Sequence, residues 1–181
     1  AFAITVFLWS FYIVGTCGVN NETAIVGMGL FIGSLTQFMA GMREFPYGNI
    51  YGSAFFTLYS TFWISYATSL LILHVNTSNT KYPQERDAIG LYLIVWFIVT
   101  CFFFIIILHT NVTFILLTFF WSLSYLMLSI SYWSSSHAQS LRDAGGALGF
   151  VTATTQRNDG SWLFMTFIIP WMTFRFWHLQ H

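Results

Sequence analysis

Hydroxyl side chains carry most of the polar chemistry in this sequence, and they recur in register. Ser53, Thr57, Thr61, Ser65 and Ser69 are spaced four apart, with Tyr59, Ser60 and Tyr66 among them. Thr118, Ser122, Tyr125, Ser129 and Tyr132 form a second series at steps of four and three. On a helix each series runs along one face. Two readings stand for such a stripe. Each hydroxyl bonds back to a carbonyl one turn earlier in its own helix, or the two stripes line a weakly polar path for a small solute. Gly29, Gly33, Gln37 and Gly41 repeat at steps of four, a spacing of small residues that lets two membrane helices approach closely. Gln37 within that stripe is either a hydrogen-bonded tie between helices or a step on a polar path. Glu44, beside Arg43, pairs with it or caps a helix, or else titrates while half-buried. His74 and His109 fall at predicted helix ends, a structural rather than a pH-sensing position.

No serine-nucleophile elbow, Walker loop, HExxH pair or paired carboxylate occurs in the chain. No catalytic residue is assigned on that basis, and an enzyme is not expected. Cys17 and Cys101 lie in apolar runs without a CxxC pattern. They are expected as buried small side chains, with no metal site and no cofactor.

The elements that position these residues follow from composition. Of 181 residues, 7% are charged, 56% hydrophobic and 21% aromatic, against about 25% charged in a soluble domain. So few charges cannot cover a soluble surface, and disorder requires the opposite balance. Six basic residues offset six acidic ones, so no electrostatic footprint for nucleic acid exists. The expected partner is the lipid bilayer.

Charged residues cluster and leave neutral stretches at 1–21, 23–42, 45–80, 88–141 and 160–174. A spanning helix needs about 20 mostly apolar residues. The fourth stretch is too long for one span, and His109, Thr110 and Asn111 divide it. Runs such as Ile89 to Leu108 are continuously apolar, which excludes the alternation of a membrane β-barrel. The fold class expected is an all-α integral membrane protein, a bundle of five to six transmembrane helices. They are placed near 1–18, 24–42, 50–73, 88–108, 112–133 and 142–153. Residues 154–181 read as an atypical polar turn followed by an aromatic tail. The few Lys and Arg residues in the loops do not orient the chain.

Residues 40–67 carry a more specific pattern. Ala40-Gly41-Met42-Arg43-Glu44-Phe45, Gly48-Asn49-Ile50-Tyr51-Gly52 and Tyr59-Ser60-Thr61-Phe62-Trp63-Ile64-Ser65-Tyr66-Ala67 resemble AGMWEF, GNTFG and SYGAFWLSYA of the acetate uptake transporter family (YaaH type). Gly29 to Gln37 resembles the family's GLALFYGGLxQ segment. Asp87-Ala88-Ile89-Gly90 resembles the start of the fourth helix in fungal-type members, and Ala144 to Gly149 the start of the sixth. The resemblance covers about residues 1–153. It implies a six-helix bundle that assembles as a homo-hexamer, each protomer with its own path. The implied cargo is acetate and related small monocarboxylates, moved by proton-coupled symport or channel-like permeation across a plasma membrane. It also implies a narrow hydrophobic constriction, formed here by Phe2, Tyr59 and a leucine of the fifth helix, Leu123. Glu44 and Asn49 are expected to hold the turn after the second helix, with Gln37, Thr57, Thr61 and Ser122 as polar-path or packing positions.

Two departures accompany the resemblance. The NPxPLGL signature that precedes the first helix in that family is not among these residues, and the AxxAWYxAxAG pattern is lost after Ala153. A chain truncated at its N-terminal side and divergent after residue 153 is the corresponding expectation. Two other functions fit the composition equally: a non-transporting sensor or degenerate relative, and a channel for small neutral solutes such as ammonia.

Overall fold

The computed structural model describes residues 1–19, 22–77, 85–109, 112–134 and 136–155. Six helices account for nearly all of them: α1 (Phe2–Val14), α2 (Thr23–Glu44), α3 (Ile50–Thr77), α4 (Glu85–Ile107), α5 (Val112–Trp133) and α6 (Ala138–Thr155). Among the described residues, α2, α3, α4 and α5 are long and apolar enough to cross a bilayer, and α1 is a shorter apolar helix. The polar turn and tail expected beyond Thr155 lie outside the described residues, as do the side chains of His74 and Arg86.

Several helix ends differ from expectation, each for a local reason. α1 stops at Val14 rather than running to residue 18, because Gly15 adopts the left-handed conformation (φ 69°) and its N–H turns back to the Tyr12 carbonyl. Cys17 follows with φ 60° and is exposed, so it is not the buried side chain expected. Cys101 is only half-buried on α4. α6 starts at Ala138, a turn earlier than Arg142, where the Ser134 hydroxyl accepts the His137 N–H (3.2 Å) and Gln139 donates to Asp143 (2.8 Å).

α2 is not uniform. It opens on a tight turn, widens into a π-helical stretch over Gly29–Thr36, and returns to regular α-helix at Gln37. The Thr36 hydroxyl donates to the Phe31 carbonyl five residues back (3.1 Å), as the wider turn requires. The turn into α3 is built by Asn49. Its side-chain oxygen accepts the Gly52 N–H (3.0 Å), capping the helix, and its amide donates to the Glu44 carboxylate (2.7 Å).

Contacts across the bundle fix helix direction. Phe2 of α1 meets Phe55 and Tyr59 of α3, while Trp9, two turns on, meets Phe62, Trp63 and Tyr66. Phe55 meets Phe114 of α5, and Phe62 meets Tyr125. α1, α3 and α5 therefore run parallel. α2, α4 and α6 run against them: Gly29, Gly33 and Gly41 lie along Ala67, Trp63 and Thr57 in reverse order. Ser129 of α5 donates to the Gly90 carbonyl of α4 (2.9 Å), and Ser124 to the Gly145 carbonyl of α6 (2.7 Å).

Close approach of α2 and α3 depends on Gly41. A β-carbon there would stand 2.7 Å from the Thr57 methyl, 2.9 Å from the Thr57 backbone nitrogen and 3.1 Å from the Ser53 carbonyl oxygen. Backbone cannot yield as a side-chain tip does. Gly41→Ala is expected to lose about 1–3 kcal/mol, even though alanine is the better helix former. Gly27→Ala, where a β-carbon meets nothing within 4 Å, should be neutral or stabilising. Thermal unfolding of both variants in detergent checks the contrast. Asn49→Ala should cost about 1 kcal/mol by removing the cap, read as a lower Tm in the same measurement.

Candidate functional site

The interior of the bundle is a column of aromatic rings. Phe2 packs edge-on against Tyr59 (5.8 Å between centroids) and Trp121 (5.3 Å), and Trp9 packs against Trp63 (5.8 Å) and Trp121 (5.7 Å). Trp121 and Tyr125, one turn apart on α5, face the same interior and lie 4.7 Å from each other. Phe2, Trp9, Tyr59, Phe62, Trp63, Trp121 and Tyr125 are all almost completely buried.

The hydroxyl stripes do not line this column evenly. On α3, Ser53 is buried, Thr57, Ser65 and Ser69 half-buried, and Thr61 exposed on the outer face of the chain. Thr57 donates to the Ser53 carbonyl, Thr61 to Leu58, Ser65 to Thr61 and Ser69 to Ser65. On α5, Thr118 donates to Phe114 and the buried Ser122 to Phe119. Most hydroxyls thus satisfy themselves on their own helix.

Tyr59 makes a longer-range bond. Its hydroxyl lies 2.7 Å from the Thr100 hydroxyl of α4, and Thr100 donates to the Trp96 carbonyl (2.7 Å). Because that bond uses the Thr100 hydrogen, Tyr59 is the donor to Thr100. Its hydrogen is therefore committed within the protein. Leu123, two residues and about 200° round the helix from Trp121, is half-buried. The aromatic ring of α5 packed on Phe2 is that of Trp121.

The uncommitted polar groups are elsewhere. No hydrogen bond of acceptable geometry reaches the indole nitrogens of Trp9, Trp63 and Trp121, the Tyr125 hydroxyl, or either end of the Gln37 amide. Gln37 is 1% exposed and sits between Gly33 and Gly41 on the face of α2 that packs on α3, directly after the π-helical stretch. A buried polar group without a partner costs about 1–3 kcal/mol, and native proteins rarely keep several together. An indole N–H only donates. The Trp9 indole stands beside the Tyr66 hydroxyl and the Trp121 indole beside the Tyr125 hydroxyl, which leaves Trp63 and Gln37 as the buried donors without a neighbouring acceptor. No carboxylate or cationic side chain belongs to the buried set, and no group of metal-ligating residues occurs among the described residues.

Sequence reasoning placed Phe2, Tyr59 and Gln37 in the interior but passed over Trp9, Trp121 and Thr100. One signal was available: membrane tryptophans concentrate at the interfaces, so those in the middle of apolar stretches are out of their usual place. Thr100 carries no such sign, since its partner lies 41 residues away.

Known proteins share this architecture. The model of the GPR1/FUN34/yaaH family matches residues 1–159. The chain is 34% identical over 154 residues to the glyoxylate pathway regulator of Yarrowia lipolytica, covering 84% of this chain and 56% of that protein. It is 29% identical over 163 residues to acetate permease A of Emericella nidulans, covering 84% and 55%. The chain thus spans about half the length of the curated relatives it matches. The solved structure of the bacterial acetate channel SatP superimposes with a TM-score of 0.73 at 25% identity, over 85% of this chain and 81% of that one. With a multi-pass helical fold and a sequence match over most of its length, this integral membrane protein belongs to the GPR1/FUN34/yaaH family.

Proposed function

We propose that this chain forms a transmembrane path for acetate and related small monocarboxylates. The observation that carries the reading is a buried aromatic column that holds two donors without a partner, the Trp63 indole N–H and the Gln37 amide. Hydrogen bonds to a carboxylate from such groups offset part of its lost hydration. The likeness to an acetate permease and an acetate channel supports the same cargo. Phe2 and Tyr59, with Trp121 packed on Phe2, form the narrowest level and exclude bulky or hydrated solutes. Tyr59 acts there through its ring, because its hydrogen is held by Thr100. Glu44 and Asn49 hold the turn before α3 and do not touch the cargo.

Among the described residues no carboxylate lies at mid-depth, which supports channel-like passage in which any proton travels on the substrate. Assembly as a homo-hexamer in a plasma membrane belongs to the same proposal.

Labelled acetate uptake at acidic and neutral pH, in cells lacking their own carriers, tests the reading. Saturable uptake is expected, with competition by propionate and none by ammonium. Absence of saturable flux supports a non-transporting sensor instead, and flux that follows ammonium rather than acid supports a channel for neutral amines. Tyr59→Ala should admit larger monocarboxylates such as butyrate or abolish uptake. Tyr59→Phe, which keeps the ring and loses one hydrogen bond worth about 1 kcal/mol, should keep the selectivity. Unchanged selectivity in Tyr59→Ala argues against the constriction.

A further inference from the structure

Gln37 keeps an unsatisfied amide at the centre of a close helix contact. It is 1% exposed, and among the described residues neither its amide nitrogen nor its amide oxygen has a hydrogen-bond partner. The residues one turn before and after it, Gly33 and Gly41, carry no side chain to supply one. Trp63 faces the same stripe of α2. A β-carbon on Gly33 would stand 2.7 Å from Trp63 Cγ and 3.1 Å from Cδ1, the atom that adjoins the indole nitrogen. The N–H edge of that ring therefore lies by α2 one turn before Gln37, about 6 Å along the axis. Helical side chains lean toward the N-terminus of their helix, which brings the Gln37 amide back toward that edge. The Trp63 N–H is itself buried and without a partner.

A primary amide presents a donor and an acceptor side by side. A protonated carboxylic acid presents the same pair in reverse, a carbonyl oxygen that accepts and an O–H that donates. The two fit as a planar ring of two hydrogen bonds. Gln37 Nε2 donates to the acid carbonyl, and the acid O–H donates to Gln37 Oε1. The Trp63 N–H then meets the second lone pair of the carbonyl. A carboxylate has no hydrogen to give, so its second oxygen would face Oε1, acceptor against acceptor. Among the described residues no buried side chain is cationic, and removal from water favours the neutral form of the acid.

Titratable groups on the surrounding elements leave that balance to the acid itself. Arg43 and Glu44 lie beyond Gly41 at the turn into α3, one exposed and one half-buried. Tyr59 and Tyr66 of α3 are buried phenols, a group that is neutral below a pKa of about 10. α1 carries no charged side chain, and its phenol, Tyr12, lies two turns past Thr5, the α1 residue next to Gly33. Gln37 and Trp63 are sealed, so a solute meets them only when side chains of the column move aside. Gln37 yields most readily, because its amide gives up no hydrogen bond on turning.

We propose that Gln37 is a specificity-determining residue that takes the cargo in its protonated form, binding the neutral carboxylic acid through a two-point amide–acid pair with the Trp63 N–H as third donor. This rests on the proposed path for small monocarboxylates and assigns the form in which the cargo passes that level.

Two measurements on the full chain test this separately from transport. In detergent, with glutamine side-chain amides labelled with ¹⁵N and the Gln37 signal assigned through Gln37→Leu, the chain is titrated with sodium acetate and with acetamide, each at pH 6 and pH 7, and with sodium chloride as control. Acetamide carries the same donor and acceptor pair as the acid and does not ionise. Acetate and acetamide are both expected to shift the Gln37 signal saturably. The apparent Kd in total acetate should rise about tenfold from pH 6 to pH 7, following the neutral fraction of an acid titrating well below that range, while the Kd of acetamide stays the same. Gln37→Leu should leave Tm unchanged or higher, since no hydrogen bond is lost. In uptake at pH 6 it should raise KM for acetate about tenfold, the worth of one hydrogen bond, and abolish inhibition by acetamide. An acetate Kd equal at pH 6 and pH 7 shows that the anion is bound and overturns the proposal. A lower Tm of Gln37→Leu together with an unmoved Gln37 signal makes the amide a tie between helices and also overturns it, as does a signal that answers chloride as strongly as acetate. Saturable uptake without any shift at Gln37 overturns it and leaves the path standing. A saturable, pH-dependent shift at Gln37 without uptake keeps the acid site and removes the path.

Discussion

Trp9 is the side chain on which the rest of the bundle is arranged. Its ring meets α3 at Phe62, Trp63 and Tyr66 and α5 at Trp121, all edge-on. Edge-to-face packing places the positive rim of one ring against the negative face of the next, worth about 0.5–1.5 kcal/mol per pair beyond burial. In lipid, where no hydrophobic force pulls helices together, such packing is a main source of cohesion. The same contacts bury the indole nitrogens, and leave that of Trp63 without a partner. Cohesion and the site are thus two consequences of one packing arrangement.

Small residues make that arrangement reachable. Gly33 lies under Trp63, where a β-carbon would stand 2.7 Å from the ring, and Gly149 lies beside the Ser10 hydroxyl at the same 2.7 Å. α2 and α6 close over the outside of the aromatic column because these positions carry no side chain. Large rings on α1, α3 and α5 and missing side chains on α2 and α6 are complementary halves of one packing solution. Hydroxyls that bond back to their own helices complete it, because they leave no polar demand at the lipid face.

Much of this is legible in the sequence. Charges can sit only near the membrane boundary, so their clustering marks the turns, and the glycines at steps of four mark the face of α2 that meets α3. The hydroxyl series on α3 is harder to read. Residues four apart advance 400° on a helix, so each step drifts about 40°. Over the series that drift carries Ser53 from the interior to an exposed Thr61. Equal spacing therefore does not mean equal surroundings. The pairing of Tyr59 with Thr100 and the packing of Trp121 on Phe2 depend on how neighbouring helices are rotated. A single chain's periodicity does not encode that rotation.

The π-helical stretch of α2 has a consequence for chain length. A π turn holds one residue more than an α turn, so Gly29–Thr36 takes up extra chain without turning the flanks of the helix apart. The same residues wound as ordinary α-helix would turn everything after the stretch by about 100°. Gln37 and Gly41 would then leave the face shared with Gly29 and Gly33. Loss of one residue from the stretch would instead restore ordinary winding and keep Gln37 on α3, so this is the part of α2 where length and facing are uncoupled.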